Sequence, residues 1–341
     1  MTEAKIQTAK SDIPVVDAAR FLAAFFVVVS HAKFPPLFEG ILSDRLSHLA
    51  SLILGAPFCG IAAVMVFFII SGFCIHYPAA RGRPLNITRF YLTRFTRIGV
   101  PLVLAGLIFK SVGLFPELHL ILWSIFCEII YYLLYPLIHW VVGKFGAHKV
   151  LWTSFVGYVL FMVLVIFSKN GIGGNFAGLG VLGTAVIGLP VWLGGVVLAE
   201  AVAKKSPSGL ILVGARLPLW TWRVGFLALV AILNISHFHS PLNYKVTMPL
   251  VGLLAVPWIY QEMLQAKPAG WLVNAGKACY SIYLMHQLGV KWSENLQSDL
   301  LPIVRWSLGV SVATVTIWIF YKMVEKPSHV LARKLGASPV L

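Results

Sequence analysis

Arg20 and His31 form the first pair of side chains in this chain that could do chemistry together. Eleven residues of α-helix advance about 1100°, within ~20° of three full turns, and rise about 16 Å. Both side chains therefore share one face, with the guanidinium at one boundary of the apolar stretch 15–34 and the imidazole well into its other half. An ionisable group at that depth normally faces a cavity or a partner. An imidazole can serve as a general base near neutral pH, and a guanidinium can grip a phosphate through paired N–H groups. Two plainer readings also fit: Arg20 snorkelling to headgroups and His31 as a hydrogen-bonded boundary residue.

A second set lies on the stretch 121–142, where Trp123 and Ser124 are followed by Glu128, Tyr131, Tyr132 and Tyr135. Ser124, Glu128, Tyr132 and Tyr135 recur at helical spacing, and such a polar stripe must face protein or water rather than lipid. Counted from the outer end of the stretch, Glu128 lies a turn or two below the boundary, close to the depth inferred for His31. A carboxylate there can orient an imidazole and raise its basicity; a purely structural pair is the alternative. Arg94 and Arg97 stand at i, i+3 before Pro101, suited either to phosphates or to fixing membrane orientation. Ser71-Gly72-Phe73 puts small residues inside a bundle, with His76 beyond them. Tyr283 and His286 share a helix face, and Tyr321 and Glu325 at i, i+4 precede Lys326-Pro327, which reads as a helix stop with a surface ion pair or as a further site.

The elements that must carry these residues follow from composition. Of 341 residues, 59% are hydrophobic and 11% charged, with mean hydropathy +0.85. Soluble domains have about 25% charged residues, so too few remain here to cover a water-facing surface. A disordered or fibrous chain is excluded on the same ground. The net charge of +15 contains no dense basic run of the kind that tracks nucleic-acid phosphates. Cys59, Cys74, Cys127 and Cys279 all fall in apolar segments without a CxxC pair and read as packing thiols, so no metal site is expected. Asp17 and Arg20 interrupt the first apolar run and no small-x-small cleavage site follows, so it reads as a retained helix rather than a signal peptide.

Stretches long enough to span a bilayer run over about 15–34, 56–77, 98–115, 121–142, 150–168, 181–200, 217–236, 246–264, 275–292 and 303–324. The third and fourth are separated by a turn at Phe115 to Glu117. A basic loop over 78–97 joins the second and third. With the N-terminus inside, most of the 27 Lys and Arg fall on the cytoplasmic side. The expected architecture is thus an all-α polytopic membrane bundle of about ten helices with both termini cytoplasmic. Residues 1–14 form one cytoplasmic tail, 15–324 the transmembrane domain and 325–341 a second tail. Gly171 to Gly183 reads as an external loop; its GxGxxG at Gly178 to Gly183 lacks the preceding strand that dinucleotide binding needs.

In sequence order these pieces resemble the acyltransferase 3 family of membrane acyltransferases. The resemblance rests on Asp17 to Arg20 with ten residues before His31, Phe67 to Phe73, Arg94 and Arg97 before Pro101, Leu122 through Glu128 to Pro136, Tyr280 to His286, and Tyr321 to Pro327. It implies transfer of an acyl group, usually acetyl from acetyl-CoA, to a hydroxyl of an extracytoplasmic carbohydrate, at a bacterial cytoplasmic membrane. By that resemblance Arg20 and His31 carry the family's Arg/His pair, with His31 essential. Glu128 falls on its helix-four acid, although the second acid often beside it is Ile129 here, and a common glycine after the arginine is Phe21.

The depths fit such a reaction. The anionic donor's phosphates belong near Arg20, Arg94 and Arg97, and a pantetheine arm of order the same ~16 Å would bring the thioester to His31. There His31, oriented by Glu128, would deprotonate the acceptor, with Asp17, Ser71, Trp123, Ser124, Tyr132, Tyr283, His286 and Glu325 in support. An acyl-His31 intermediate is the alternative route. No cofactor is bound permanently; the partners expected are acyl-CoA, a carbohydrate or lipid-linked glycan, and membrane lipid. Succinyl or longer acyl donors, antibiotic acceptors, a secondary transporter and a passive assembly protein are the competing readings.

Overall fold

A computed structural model of the chain describes residues 13–39, 41–167, 179–214, 217–239, 243–296 and 300–337. Apart from connecting turns and an isolated bridge between Glu39 and Leu42, their regular structure is helical: α1 (Pro14–Ala32), α2 (Asp44–Gly55), α3 (Gly60–Ala80), α4 (Ile87–Ser111), α5 (Phe115–Phe145), α6 (Ala147–Phe167) and α7 (Gly180–Lys204) come first. They are followed by α8 (Gly209–Gly214), α9 (Leu219–His239), α10 (Tyr244–Gln265), α11 (Gly270–Gly276), α12 (Cys279–Glu294), α13 (Pro302–Phe320) and α14 (Lys326–Ala337), the last two joined by a π-helical turn over Tyr321–Glu325. Eight of the helical segments are long and apolar enough to cross a membrane. α10 and α12 are not among them: α12 has only 16 residues, and prolines and polar groups such as Pro249, Pro257 and Gln261 dilute α10.

The bundle is centred on α3 and α7, whose backbones touch. A Cβ on Gly72 would stand 2.0 Å from the Trp192 carbonyl oxygen, and one on Gly195 would stand 2.0 Å from that of Ile69. Membrane helices gain little from hydrophobic contact with one another, since lipid is equally apolar, so close backbone approach through small residues is what holds them. Trp192 fills the seam, fully buried, and its indole N–H donates to Ser71 Oγ at 3.2 Å. Leucines, valines and tryptophans such as Leu164, Trp220 and Trp318 cover the outer faces and remain exposed, as lipid-facing positions should.

Three expected boundaries move. The basic residues Arg89, Arg94 and Arg97 are not in a loop: Asn86 accepts from the Arg89 N–H and caps α4, which carries all three in its first three turns. The turn expected at Phe115 to Glu117 is instead the first turn of α5, with Pro116 at its start; the chain reverses at Gly113, whose φ is +73°. The segment after Glu325 continues as α14 through Pro327, packed along α4. A short amphipathic helix, α2, had no counterpart in the sequence reading. Of the glycine-rich stretch, 171–178 lie outside the described residues, and Gly180 to Gly183 open the apolar helix α7.

Candidate active site

His31 occupies the last turn of α1, its side chain exposed on a cavity of about 1260 Å³. Its Nδ1 lies 2.9 Å from the Val27 carbonyl oxygen, which can only accept, so Nδ1 carries the proton. His286 on α12 is pinned the same way, Nδ1 on the carbonyl of Tyr283 at 2.8 Å and near that of Ile282 at 3.2 Å. Its Nε2 lone pair therefore faces the His31 Nδ1–H, 3.3 Å away, with the rings 5.0 Å apart. Both tautomers follow from backbone carbonyls. In the neutral ring this tautomer leaves Nε2 of the cavity-lining His31 as the acceptor, the state a general base requires.

The same cavity is walled by Trp123, Tyr283, Tyr244, Phe34 and Phe58, and roofed by Asp44, Ser47, His48 and Ser51 along one side of α2. The opposite side of α2 exposes Leu46, Leu49 and Ile53. Tyr283, one turn before His286, donates to the Ile121 carbonyl at 2.7 Å and receives Ser124 Oγ at 2.7 Å, which locks α12 to α5 beside the histidine pair.

Farther along the bundle interior Tyr132 donates to Glu128 Oε1 at 2.5 Å and receives Ser71 at 3.2 Å, so Trp192, Ser71, Tyr132 and Glu128 form one chain of donors ending on the carboxylate. Among the described residues the hydrogen bonds of Glu128 do not include His31; the ring is held by Val27 and His286 instead. The cavity meets α5 at Leu120, Ile121 and Trp123, and Glu128 lies more than a turn farther along that helix.

At the other end of α1, Arg20 donates Nη1 to Asp17 Oδ1 at 3.1 Å and Nη2 to Cys74 Sγ at 3.2 Å. Arg94 lies over the rings of Phe90 and Tyr132, 6.0 Å from each centroid. Arg97 donates Nε to His329 Nε2 at 3.1 Å and stands within electrostatic reach of both Arg20 and Arg94. Three half-buried guanidinium groups thus converge, although like charges repel most strongly where water is scarce. Glu325, fully buried, offsets part of this charge and is held by the Ser281 backbone N–H at 2.8 Å and its hydroxyl at 2.5 Å. The balance remains positive and suits an anion.

The structure therefore sorts the expected residues into groups. His31, Tyr283 and Trp123 line the cavity, with buried His286 and Ser124 hydrogen-bonded to the first two; Ser71, Tyr132 and Glu128 form the interior chain; Asp17, Arg20, Arg94, Arg97 and Glu325 form the basic end. Phe21 packs edge-on against Trp271 of α11, rings 5.9 Å apart. His329 and Ser281 join the basic end without a sequence signal, because each reaches it from a distant element. A separate cluster lies at the end of α3 and α7, where buried His76 bonds Glu200 at 2.9 Å and Tyr135 at 3.3 Å.

Comparison with known proteins decides the broad class. A family profile described as an acyltransferase domain matches residues 13–322. The chain belongs to the acyltransferase 3 family. It is similar to the acyltransferase MdmB of Streptomyces mycarofaciens, at 23% identity over 368 residues that cover 92% of this chain and 91% of that protein. No solved structure matches it. An acyltransferase 3 protein of this length and hydropathy is an acyltransferase of groups other than aminoacyl, built as a multi-pass membrane bundle.

Proposed function

We propose that this protein moves an acyl group, acetyl by preference, from cytoplasmic acyl-CoA to a hydroxyl of an extracytoplasmic carbohydrate. The observation that carries the reading is the arrangement along α1: a free imidazole lone pair on a large cavity at one end, and a converging set of guanidinium groups about three turns away at the other. In this reading ten helices cross the membrane with both termini cytoplasmic, the arginine end faces the cytoplasm of a bacterial cell and the His31 cavity opens outward. α10 and α12 span as inner helices shielded by their neighbours, which relieves them of the need for lipid-grade hydropathy.

The CoA phosphates bind at Arg20, Arg94 and Arg97, whose forks match phosphate oxygens. The acceptor hydroxyl docks in the cavity among Trp123, Tyr283 and the polar side of α2. His31 Nε2 removes its proton as the oxygen attacks the thioester carbonyl; the C–S bond breaks, and the imidazolium returns the proton to the departing thiolate. His286 Nε2, accepting from His31 Nδ1–H, strengthens the base and helps bear its charge after proton uptake. Glu128, in the interior chain, sets Tyr132 and with it the Arg94 face.

Mass spectrometry of surface glycans from cells with and without the protein tests this directly. The expected result is a difference of one acetyl unit on a sugar residue. Identical glycan profiles, with gradient-driven solute uptake in their place, would overturn the reading in favour of transport.

A further inference from the structure

α14 approaches the basic end from the far terminus of the described chain. The π turn at Tyr321–Glu325 adds a residue to one turn and resets the helix phase, so the backbone passes Pro327 without stopping. His329 then faces α4, where the approach is close: a Cβ on Gly336 would stand 2.9 Å from Thr93 Oγ1. At this contact Arg97 donates Nε to His329 Nε2.

The identity of the acceptor matters. An arginine stays charged at any physiological pH, so the imidazole must accept and be neutral. A carboxylate in its place would take two N–H groups of the fork and cancel its charge. The nearest carboxylate, Glu325, keeps its Oε1 3.9 Å from the same His329 nitrogen and is engaged by Ser281. The imidazole takes one N–H, fixes the guanidinium plane, and leaves both Nη groups and the full charge available. Arg333, one turn beyond His329 on α14, stands within electrostatic reach of it and extends the positive field.

We propose that His329 is a positioning residue of the donor site, holding the Arg97 fork toward the phosphates of acyl-CoA without neutralising it. This rests on the reading of the arginine cluster as the phosphate site, and the experiment separates the two. CoA itself is titrated calorimetrically into the full-length protein in lipid nanodiscs. His329→Leu should raise the Kd about tenfold, the size of one lost charge-assisted hydrogen bond, with the CoA-free melting temperature unchanged. His329→Gln, whose amide oxygen can accept, should bind close to wild type. In an Arg97→Lys background, which lacks the Nε–H, His329→Leu should cause no further loss.

Wild-type affinity in His329→Leu alongside weakened binding in Arg97→Ala overturns the proposal and leaves the phosphate site standing. Unchanged CoA binding in both Arg97→Ala and Arg20→Ala removes the phosphate site and the proposal with it. If the leucine variant does not fold, His329→Asn, whose shorter amide does not reach Nε, replaces it, and wild-type CoA affinity there overturns the proposal equally.

Discussion

At the scale of single residues, the state of His31 is set by one carbonyl and one neighbouring ring. Val27 is four residues back on the same helix, so the proton on Nδ1 is a property of local helix geometry. His286 comes from 255 positions away and belongs to the tertiary structure. His31→Ala is expected to lower acyl transfer by at least ~100-fold, the usual scale for a general base, while the purified protein melts at the wild-type temperature. Transfer within a few-fold of wild type would take His31 out of the mechanism. His286→Gln retains an acceptor for the His31 N–H and should keep more turnover than His286→Leu, with the acyl-CoA KM unchanged in both; equal rates in the two variants would deny His286 its part. Arg20→Ala should act on the KM for acyl-CoA rather than on kcat.

Elements hold these residues by contacts that differ in kind. α3 and α7 meet backbone to backbone, and the first Cβ added at Gly195 would also stand 2.7 Å from the Phe73 nitrogen. Gly195→Ala must push the two helices apart and with them Ser71 and Trp192; a cost of about 1–3 kcal/mol or more follows for overpacking, seen as a lowered melting temperature in detergent. Gly99→Ala on α4, where no atom lies within 4 Å, is the matched control and should be neutral or stabilising by up to about 1 kcal/mol. If both alanines melt alike, the close approach of α3 and α7 is not what holds the bundle. Gly276 of α11 plays the corresponding part for α1, since its Cβ would stand 1.9 Å from the Asp17 carbonyl oxygen, next to the Arg20 ion pair.

For the molecule as a whole, the proposed function puts the two ends of α1 on opposite sides of the membrane. A cysteine placed at Arg45, exposed on α2, should react with an impermeant maleimide on intact cells, whereas one at Arg83, exposed between α3 and α4, should react only after the membrane is opened. The reverse pattern would invert the orientation and put the arginine cluster where CoA is absent. Because surface electrostatics are screened while half-buried pairs are screened less, the CoA affinity should weaken with salt mainly through Arg333 and the exposed lysines of α14, so a His329→Leu protein should keep a salt slope near that of wild type.

Much of this protein was legible from its sequence because the causes are local. Hydropathy gave eight of the ten expected spans, and helical spacing placed Arg20 with His31 and Ser124 with Glu128 and Tyr132 on common faces, since helical periodicity needs no knowledge of the rest of the chain. The helix starts at Ile87 and Phe115 were missed because a basic amphipathic turn and a proline read as loop signals until neighbouring helices cover them. Among the described residues the ring hydrogen-bonded to His31 is that of His286, a partner that spacing within one helix does not reveal. Which helices become neighbours is decided by packing along α3 and α7 and by the phase change at the π turn. Only the tertiary structure could therefore give His31 its partner ring, and bring His329 across 232 positions to Arg97.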